Sequence, residues 1–285
     1  MRTTRTPCLF GGFRPTSLLL SYLTIAGFVG CGSTPETLKV TDAGLDAGVD
    51  AGQDAGPPPS TPITLVEVFG SEGCGKCPAV ELAVNPYATQ GPDGFFSVEY
   101  HVTYSSPWVD VYASMTYDTL AGDYLNPILG GSGGSYTYGL PALFINAGYI
   151  SDTLYPYTKA ISQIPKDKVT PQASIVLSLK SASTSNPLVV NYDVTFAAGG
   201  PTSGMLGVAF VERGLVSDIT SGDNQGLDLH EENVARAFSS MATGTETGFV
   251  KLTIPADAVR SNSSVIAFVK DSTYQTLYGA SELDL

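Results

Sequence analysis

The sequence predicts an α/β domain over residues 62–171 followed by an all-β sandwich over residues 172–285. Three observations support this prediction. Strand-like and helical segments alternate between residues 63 and 164, which is typical of an α/β fold. After Pro171 the chain consists of short alternating or β-branched runs separated by turn residues, the pattern of a sandwich with roughly seven strands. A Cys-x-x-Cys pair, Cys74 and Cys77, falls between the first predicted strand and the first predicted helix.

Residues 1–30 have the composition of a signal peptide. Three arginines and no acidic residue accompany an apolar stretch at 18–29, which is too short for a confident membrane span. Residues 28–31 read Phe-Val-Gly-Cys and resemble the lipobox of bacterial lipoproteins, which makes Cys31 the predicted lipidated residue. The alternative is ordinary signal cleavage that leaves Cys31 unmodified.

Residues 31–61 are predicted to be a disordered tether. The tripeptide Asp-Ala-Gly occurs four times between residues 42 and 56 with a period of four, and three prolines follow at 57–59. Small and acidic residues cannot bury enough apolar area to offset chain entropy. Calcium binding by the repeated aspartates is the alternative, although the segment lacks the ligand spacing and terminal acidic residue of known calcium loops.

Composition excludes one class of partner. The chain of 285 residues has a formal net charge of -13, and removal of the three leader arginines makes the rest more acidic. A field of that sign repels phosphate backbones and anionic lipid, so nucleic acid is not an expected partner. The membrane is expected to be contacted only through the N-terminal lipid.

The predicted α/β part is assigned element by element. Residues 63–69 form a buried-strand pattern, residues 70–75 a loop, and residues 77–88 have helical spacing, with Pro78 tolerated in the first turn. The remaining elements are a strand at 95–103, one or two helices within 109–128, a Gly/Ser loop at 130–135, a buried strand at 140–146, a partner strand from 148 and a helix at 155–164.

The predicted sandwich is assigned from five apolar runs. They cover residues 174–179, 188–196, 205–211, 248–254 and 265–269, and each alternates or is rich in β-branched residues. Turn residues separate them, so this part is expected to contain no helix of its own.

A Cys-x-x-Cys pair has three interpretations: half of a zinc site, a structural disulfide or a redox centre. Zinc needs two further ligands, and the sequence offers only His101 and His230 beside the cysteines. The redox interpretation is favoured by position, because a cysteine just before a helix faces unpaired N–H groups that stabilise thiolate. Cys74 is then the predicted attacking residue and Cys77 the resolving one.

Two further residues are predicted to serve the dithiol. Pro141 opens a buried strand, and in thioredoxin-like folds a cis-proline at that place packs beside the dithiol and leaves backbone free for an extended substrate. A trans-proline in a plain loop is the alternative. Glu67, on the first strand, is a candidate proton relay for Cys77. Its alternatives are exposure to solvent or pairing with Lys76.

Four segments carry a resemblance to known families. Residues 66–81, 138–146, 229–238 and 265–271 resemble the Omp28-related outer-membrane lipoproteins and the secreted thioredoxin-like family DUF1223. The resemblance spans about residues 63 to 285. It implies a thioredoxin-like domain followed by an immunoglobulin-like β-sandwich, and it says little about the reaction.

The two histidines and the aromatic residues are given ordinary structural interpretations. A lone histidine in a strand, such as His101, is more often a satisfied core residue than a ligand, and a copper site with the cysteines does not match the spacing of comparable copper carriers. His230 is interpreted as tuning a loop. The aromatic residues either wall a groove near the dithiol or pack ordinarily. They are Trp108, Tyr100, Tyr104, Tyr112 and Tyr117.

Two functions are therefore expected from different classes. The first is thiol–disulfide exchange with exported protein thiols or disulfides, or with a redox partner, by a protein anchored in the bacterial outer membrane. The second is a non-catalytic surface lipoprotein in which Cys74 and Cys77 form a structural disulfide. Neither requires a metal, nucleotide or organic cofactor, and the sequence does not set the oligomeric state.

Overall fold

The computed structural model describes residues 61–103, 109–129 and 139–285. The predicted leader, Cys31, the tether up to residue 60, Trp108 and the loop at 130–135 lie outside these ranges. The elements of the first part are β1 (Thr64–Gly70), α1 (Cys77–Gln90), β2 (Phe95–His101), α2 (Met115–Leu129), β3 (Ala142–Ile145), β4 (Gly148–Ile150) and α3 (Thr158–Gln163). The later strands are β5 (Ala173–Leu179), β6 (Leu188–Phe196), β7 (Gly204–Glu212), β8 (Leu215–Asp218), β9 (Asp228–Glu231), β10 (Val234–Thr243), β11 (Glu246–Leu252), β12 (Ser263–Lys270) and β13 (Leu277–Asp284).

Eight of these strands form one mixed sheet. Their order from edge to edge is β13-β12-β7-β10-β2-β1-β3-β4. The β1–β2 and β2–β10 neighbours are parallel and the remaining pairs are antiparallel. Early and late strands of the chain therefore share a single sheet.

Helices cover both faces of the sheet around β1. Every residue of β1 is buried, which is the pattern of a strand with a layer on each side. On one face α1 and α3 pack against Val66 and Val68, and on the other α2 packs against Phe69. Within the described ranges, no helix combines the length and the apolarity needed to cross a lipid bilayer.

A second sheet covers the other half of the first. It contains β11, β6 and β5 in that order, and β6 alternates buried and half-buried positions along its length. Val190 and Val194 of this sheet pack against Val208 and Phe210 of β7. This part of the molecule thus has two β-layers.

The predicted fold class, a thioredoxin-like α/β domain followed by an immunoglobulin-like sandwich, is wrong. The structure is mostly β, with three α-helices among the described residues and a mixed eight-stranded sheet that runs through both predicted parts. The error has a physical cause, because alternation in a sequence shows which face of a strand is buried but not which strand lies beside it. The boundary placed between residues 171 and 172 stays a prediction.

Asn233 connects β10 to β2 where the early and late strands meet. Its backbone is in the left-handed region, with a φ of 55°, and its carbonyl accepts a hydrogen bond from the Glu99 N–H at 3.0 Å. Its side-chain amide donates to the Ser97 hydroxyl at 2.9 Å and accepts from Arg213 Nε at 3.1 Å. This buried side chain therefore joins three segments of the chain.

We expect Asn233→Gly to lower the free energy of unfolding by about 1–3 kcal/mol, because glycine keeps the backbone conformation but removes the hydrogen bonds to the buried Ser97 hydroxyl and to Arg213. Urea denaturation measures the change. Ser97→Ala, which removes one of the two side-chain hydrogen bonds, is the matched control and should cost less. Equal stability of Asn233→Gly and the wild type would contradict the role of this residue.

Candidate functional site

Cys74 and Cys77 form a disulfide at the start of α1. Their Cα atoms are 5.5 Å apart, Cys74 lies in the loop after β1, and Cys77 is the first residue of the helix. The Cys77 N–H donates to the Cys74 carbonyl at 3.1 Å, and the Cys74 N–H donates to the Ser71 carbonyl at 2.9 Å. The predicted strand–loop–helix setting of the pair is confirmed.

A loop from the later part of the chain covers this disulfide. We call residues 219–227, which connect β8 to β9, the covering loop. The Asn224 side chain donates to the carbonyls of Glu72 and Cys74 at 2.8 and 2.9 Å, and the Asp223 N–H donates to the Gly73 carbonyl at 3.0 Å. Cys74 is 4% exposed and Cys77 is 0% exposed, so neither sulfur is open to a large partner in this conformation.

Pro141 lies at the start of β3. The Leu140–Pro141 peptide bond is cis, and the Pro141 carbonyl accepts a hydrogen bond from the Tyr157 hydroxyl at 2.9 Å. Its neighbours Leu140 and Ala142 belong to the same buried apolar cluster as the two cysteines. The structure therefore brings the proline segment and the disulfide into one region, whereas a substrate-presenting role for Pro141 stays a prediction.

Glu67 is fully buried and bonded to two groups that the sequence does not place beside it. The Tyr124 hydroxyl donates to Oε1 at 2.7 Å, and the Lys270 ammonium forms an ion pair with Oε2. Burial lowers the pKa of Lys270, and the Glu67 charge opposes that shift. Glu67 is thus neither exposed nor paired with Lys76, and its role as a proton relay stays a prediction.

A carboxylate from α1 lies near the disulfide. A Cβ atom built on Gly70 would lie 2.9 Å from Glu81 Oε1 and 3.8 Å from Cys77 Sγ, so both side chains surround the same point. Glu81 lies one helical turn after Cys77. Its pKa is raised well above the usual range, first by burial and then by the neighbouring Glu99 carboxylate.

His101, at the end of β2, is fully buried among carboxylates. Its Nδ1 is 2.9 Å from Asp110 Oδ2, whereas its Nε2 lies 3.5 Å from Glu99 Oε1 and 3.8 Å from Glu231 Oε1. Burial alone would lower the pKa of His101, but Asp110 and Glu99 hold it well above its usual value. Burial raises the pKa of Glu231 to about 8 against the opposing charge of His101.

Three of these buried atoms lack a hydrogen-bond partner among the described residues. They are His101 Nε2, Glu99 Oε1 and Glu231 Oε1. One donor atom from each residue lies within 4.8 Å of the others, and this spacing is compatible with a shared metal ion. The interpretation of His101 as an ordinary core histidine therefore accounts for its Nδ1 atom and not for its Nε2 atom.

The sequence contains one local signal for this cluster. An interpretation that considers each histidine by itself does not detect it. Glu99 and His101 are two residues apart on a strand and therefore share a face. Glu81 and Glu231 come from distant segments, so no spacing rule connects them to β2. His230 is exposed, and its backbone carbonyl accepts a hydrogen bond from the Asn85 side chain at 2.9 Å.

The fold and site define a mixed-sheet protein with a covered disulfide beside a buried histidine–carboxylate cluster. The model of the family DUF1223, described as a protein of unknown function, matches residues 65–270. The chain belongs to this family, as the resemblance of its sequence motifs implies. No curated protein matches the chain.

Solved structures share the fold at low sequence identity. A structural-genomics protein from Agrobacterium tumefaciens matches with a TM-score of 0.52 and 18% identity, over 77% of this chain and 93% of that one. HBP35 of Porphyromonas gingivalis matches with a TM-score of 0.56 and 16% identity, over 80% of this chain and 76% of that one. A domain of the outer membrane lipoprotein Omp28 from the same organism has 16% identity over 40% of this chain and 88% of that one, and its TM-score of 0.26 is too low to indicate a shared fold.

Proposed function

We propose that the protein is an exported, lipid-anchored thiol–disulfide exchange protein that acts through Cys74 and Cys77. The observation that carries the proposal is the disulfide at the first turn of α1. Unpaired N–H groups at a helix start stabilise thiolate, the nucleophile and leaving group of disulfide exchange. Anchoring through Cys31 and residence at the outer membrane are supported by the leader and tether in the sequence.

The reaction transfers two electrons between the dithiol and an exported partner. The Cys74 thiolate of the reduced protein attacks a partner disulfide, so one partner sulfur leaves as thiolate and a mixed disulfide forms. The Cys77 thiolate then attacks Cys74 Sγ, which releases the second partner sulfur as thiolate. The partner is reduced, and the protein ends with the Cys74–Cys77 disulfide. Pro141 would hold the partner's extended backbone beside Cys74.

The near-complete burial of both cysteines favours a second candidate, a non-catalytic lipoprotein with a structural disulfide. The two candidates predict different reduction potentials. Exchange proteins lie at about -270 to -120 mV, whereas structural disulfides lie below about -300 mV. Equilibration of the purified protein with glutathione or dithiothreitol buffers measures this value.

We expect Cys77→Ser to accumulate mixed disulfides with exported proteins, because the serine cannot resolve the intermediate on Cys74. Non-reducing gels of the tagged variant, with and without reductant, detect these adducts. Cys74→Ser is the matched control and should form far fewer. Absence of adducts from Cys77→Ser, together with a potential below about -300 mV, would overturn the exchange proposal in favour of a structural disulfide.

A further inference from the structure

We propose that Glu99, His101 and Glu231 form a binding site for a divalent transition-metal ion, with Zn²⁺ the best match. The site is independent of the exchange proposal, since its ligands are one imidazole and two carboxylates and the cysteines take no part. It would hold β9, which carries Glu231, against β2, which carries Glu99 and His101.

The donor atoms are already near the spacing of a metal site. His101 Nε2 lies 3.5 Å from Glu99 Oε1 and 3.8 Å from Glu231 Oε1. Tetrahedral zinc with bond lengths of 2.0–2.2 Å places neighbouring donor atoms roughly 3.4 Å apart. The two imidazole–carboxylate distances therefore need to change by only a few tenths of an ångström, and all three donor atoms lie within 4.8 Å of one another.

Asp110 fixes the orientation of the imidazole ring. The carboxylate accepts hydrogen bonds from the backbone N–H groups of Glu72 at 2.8 Å and Tyr112 at 3.0 Å, so it acts as an acceptor toward His101 as well. Nδ1 is therefore the donor in the bond to Asp110, which leaves Nε2 aimed at Glu99 and Glu231. A carboxylate behind a histidine is the common arrangement around protein-bound metals.

The unpartnered buried atoms of the cluster also favour a bound ligand. Glu81, Glu99 and Glu231 are all buried, and within the described ranges no lysine or arginine forms an ion pair with any of them. A buried polar atom without a hydrogen-bond partner is costly, and one such oxygen of Glu99 and one of Glu231 lie within 4.8 Å of each other and of His101 Nε2. A divalent ion would satisfy all three atoms at once.

The donor set selects among metals. Imidazole favours zinc, iron, copper and nickel, whereas Ca²⁺ takes six to eight oxygen ligands and Mg²⁺ retains several waters. One nitrogen and two carboxylates therefore fit Zn²⁺ better than Ca²⁺ or Mg²⁺. A fourth position remains for water.

The test is metal binding to the exported chain with its disulfide intact, so that no thiolate competes. After removal of metals by chelation, we expect titration calorimetry to show one Zn²⁺ bound per chain and thermal unfolding to shift upward with added Zn²⁺. Ca²⁺ and Mg²⁺ should bind far more weakly. Co²⁺ in place of Zn²⁺ should show the visible absorption of a four-coordinate ion.

Variants locate the site. Glu99→Gln and Glu231→Gln preserve shape and remove a charged ligand, and each should weaken Zn²⁺ affinity at least 100-fold. His230→Gln is the matched control, because it removes an exposed histidine outside the cluster and should leave affinity unchanged. Circular dichroism of the metal-free variants shows that each is folded. Wild-type binding no tighter than that of Glu99→Gln, or loss of binding in His230→Gln, would overturn the proposal.

Discussion

Lys270→Met is expected to lower the free energy of unfolding by about 3–5 kcal/mol, among the largest effects of any single substitution in this protein. The side chains of Lys270 and Glu67 are both 0% exposed and form an ion pair across 203 residues of sequence. Methionine fills a similar volume but leaves the Glu67 charge buried without a counter-ion, which is the costly way to break such a pair. Urea denaturation measures the loss.

A double substitution separates the contribution of the ion pair to stability from the contribution of side-chain packing. Glu67→Gln combined with Lys270→Met removes both charges, and the Tyr124 hydroxyl still has an amide oxygen to bond, so most of the lost stability should return. If Lys270→Met does not fold, recovery of a folded double variant is the readout. Lys159→Met, at an exposed position, should change stability by no more than about 0.5 kcal/mol. A double variant no more stable than Lys270→Met would assign the loss to packing.

Local elements of the fold could be predicted because their signals are local. The segment from Thr64 to Gln90 contains a β-branched strand, a cysteine loop and a helix with proline in its first turn, and the structure has each of them. The same holds for β3 and for the five apolar runs after Pro171. In each case the period of buried positions lies within one stretch of chain.

Contacts between distant segments could not be predicted from the same signals. Strand β10 pairs with β2 through Val234 and Glu99, which are far apart in the sequence. The alternation of apolar and polar residues in either strand does not indicate which strand lies beside it. For the same reason the sequence does not show that the Glu67 charge is balanced by Lys270 at the end of β12. Such pairs follow from topology, and the predicted topology was wrong.

The candidate site shows the same difference between features with a local signal and features that depend on distant segments. The Cys74–Cys77 pair could be found because its chemistry is contained in four consecutive residues. The histidine–carboxylate cluster brings together α1, β2 and β9, and only the Glu99–His101 spacing lies within one element. The covering loop is also a long-range feature, since its contacts to residues 72–74 span about half of the chain.

Gly222→Ala is expected to accelerate reduction of the Cys74–Cys77 disulfide about tenfold or more. Gly222 has a φ of 89°, and a Cβ atom there would lie 2.5 Å from Gly73 Cα and 2.8 Å from the Gly73 carbonyl oxygen. The added methyl group must push the covering loop away from the cysteine loop. Because both sulfurs are buried, reduction requires an opened state, and each 1.4 kcal/mol taken from the opening free energy raises its population tenfold.

Gly226→Ala is the matched control within the same loop. Gly226 has a φ of 84°, so alanine there suffers comparable backbone strain, but no heavy atom lies within 4 Å of the added Cβ. Reduction by dithiothreitol, followed by thiol labelling over time, should therefore be much faster in Gly222→Ala than in Gly226→Ala. Equal rates in the two variants would mean that backbone strain, and not contact with Gly73, governs opening. Wild-type rates in both would show that the sulfurs are reached without moving this loop, and exchange would then need no opening step.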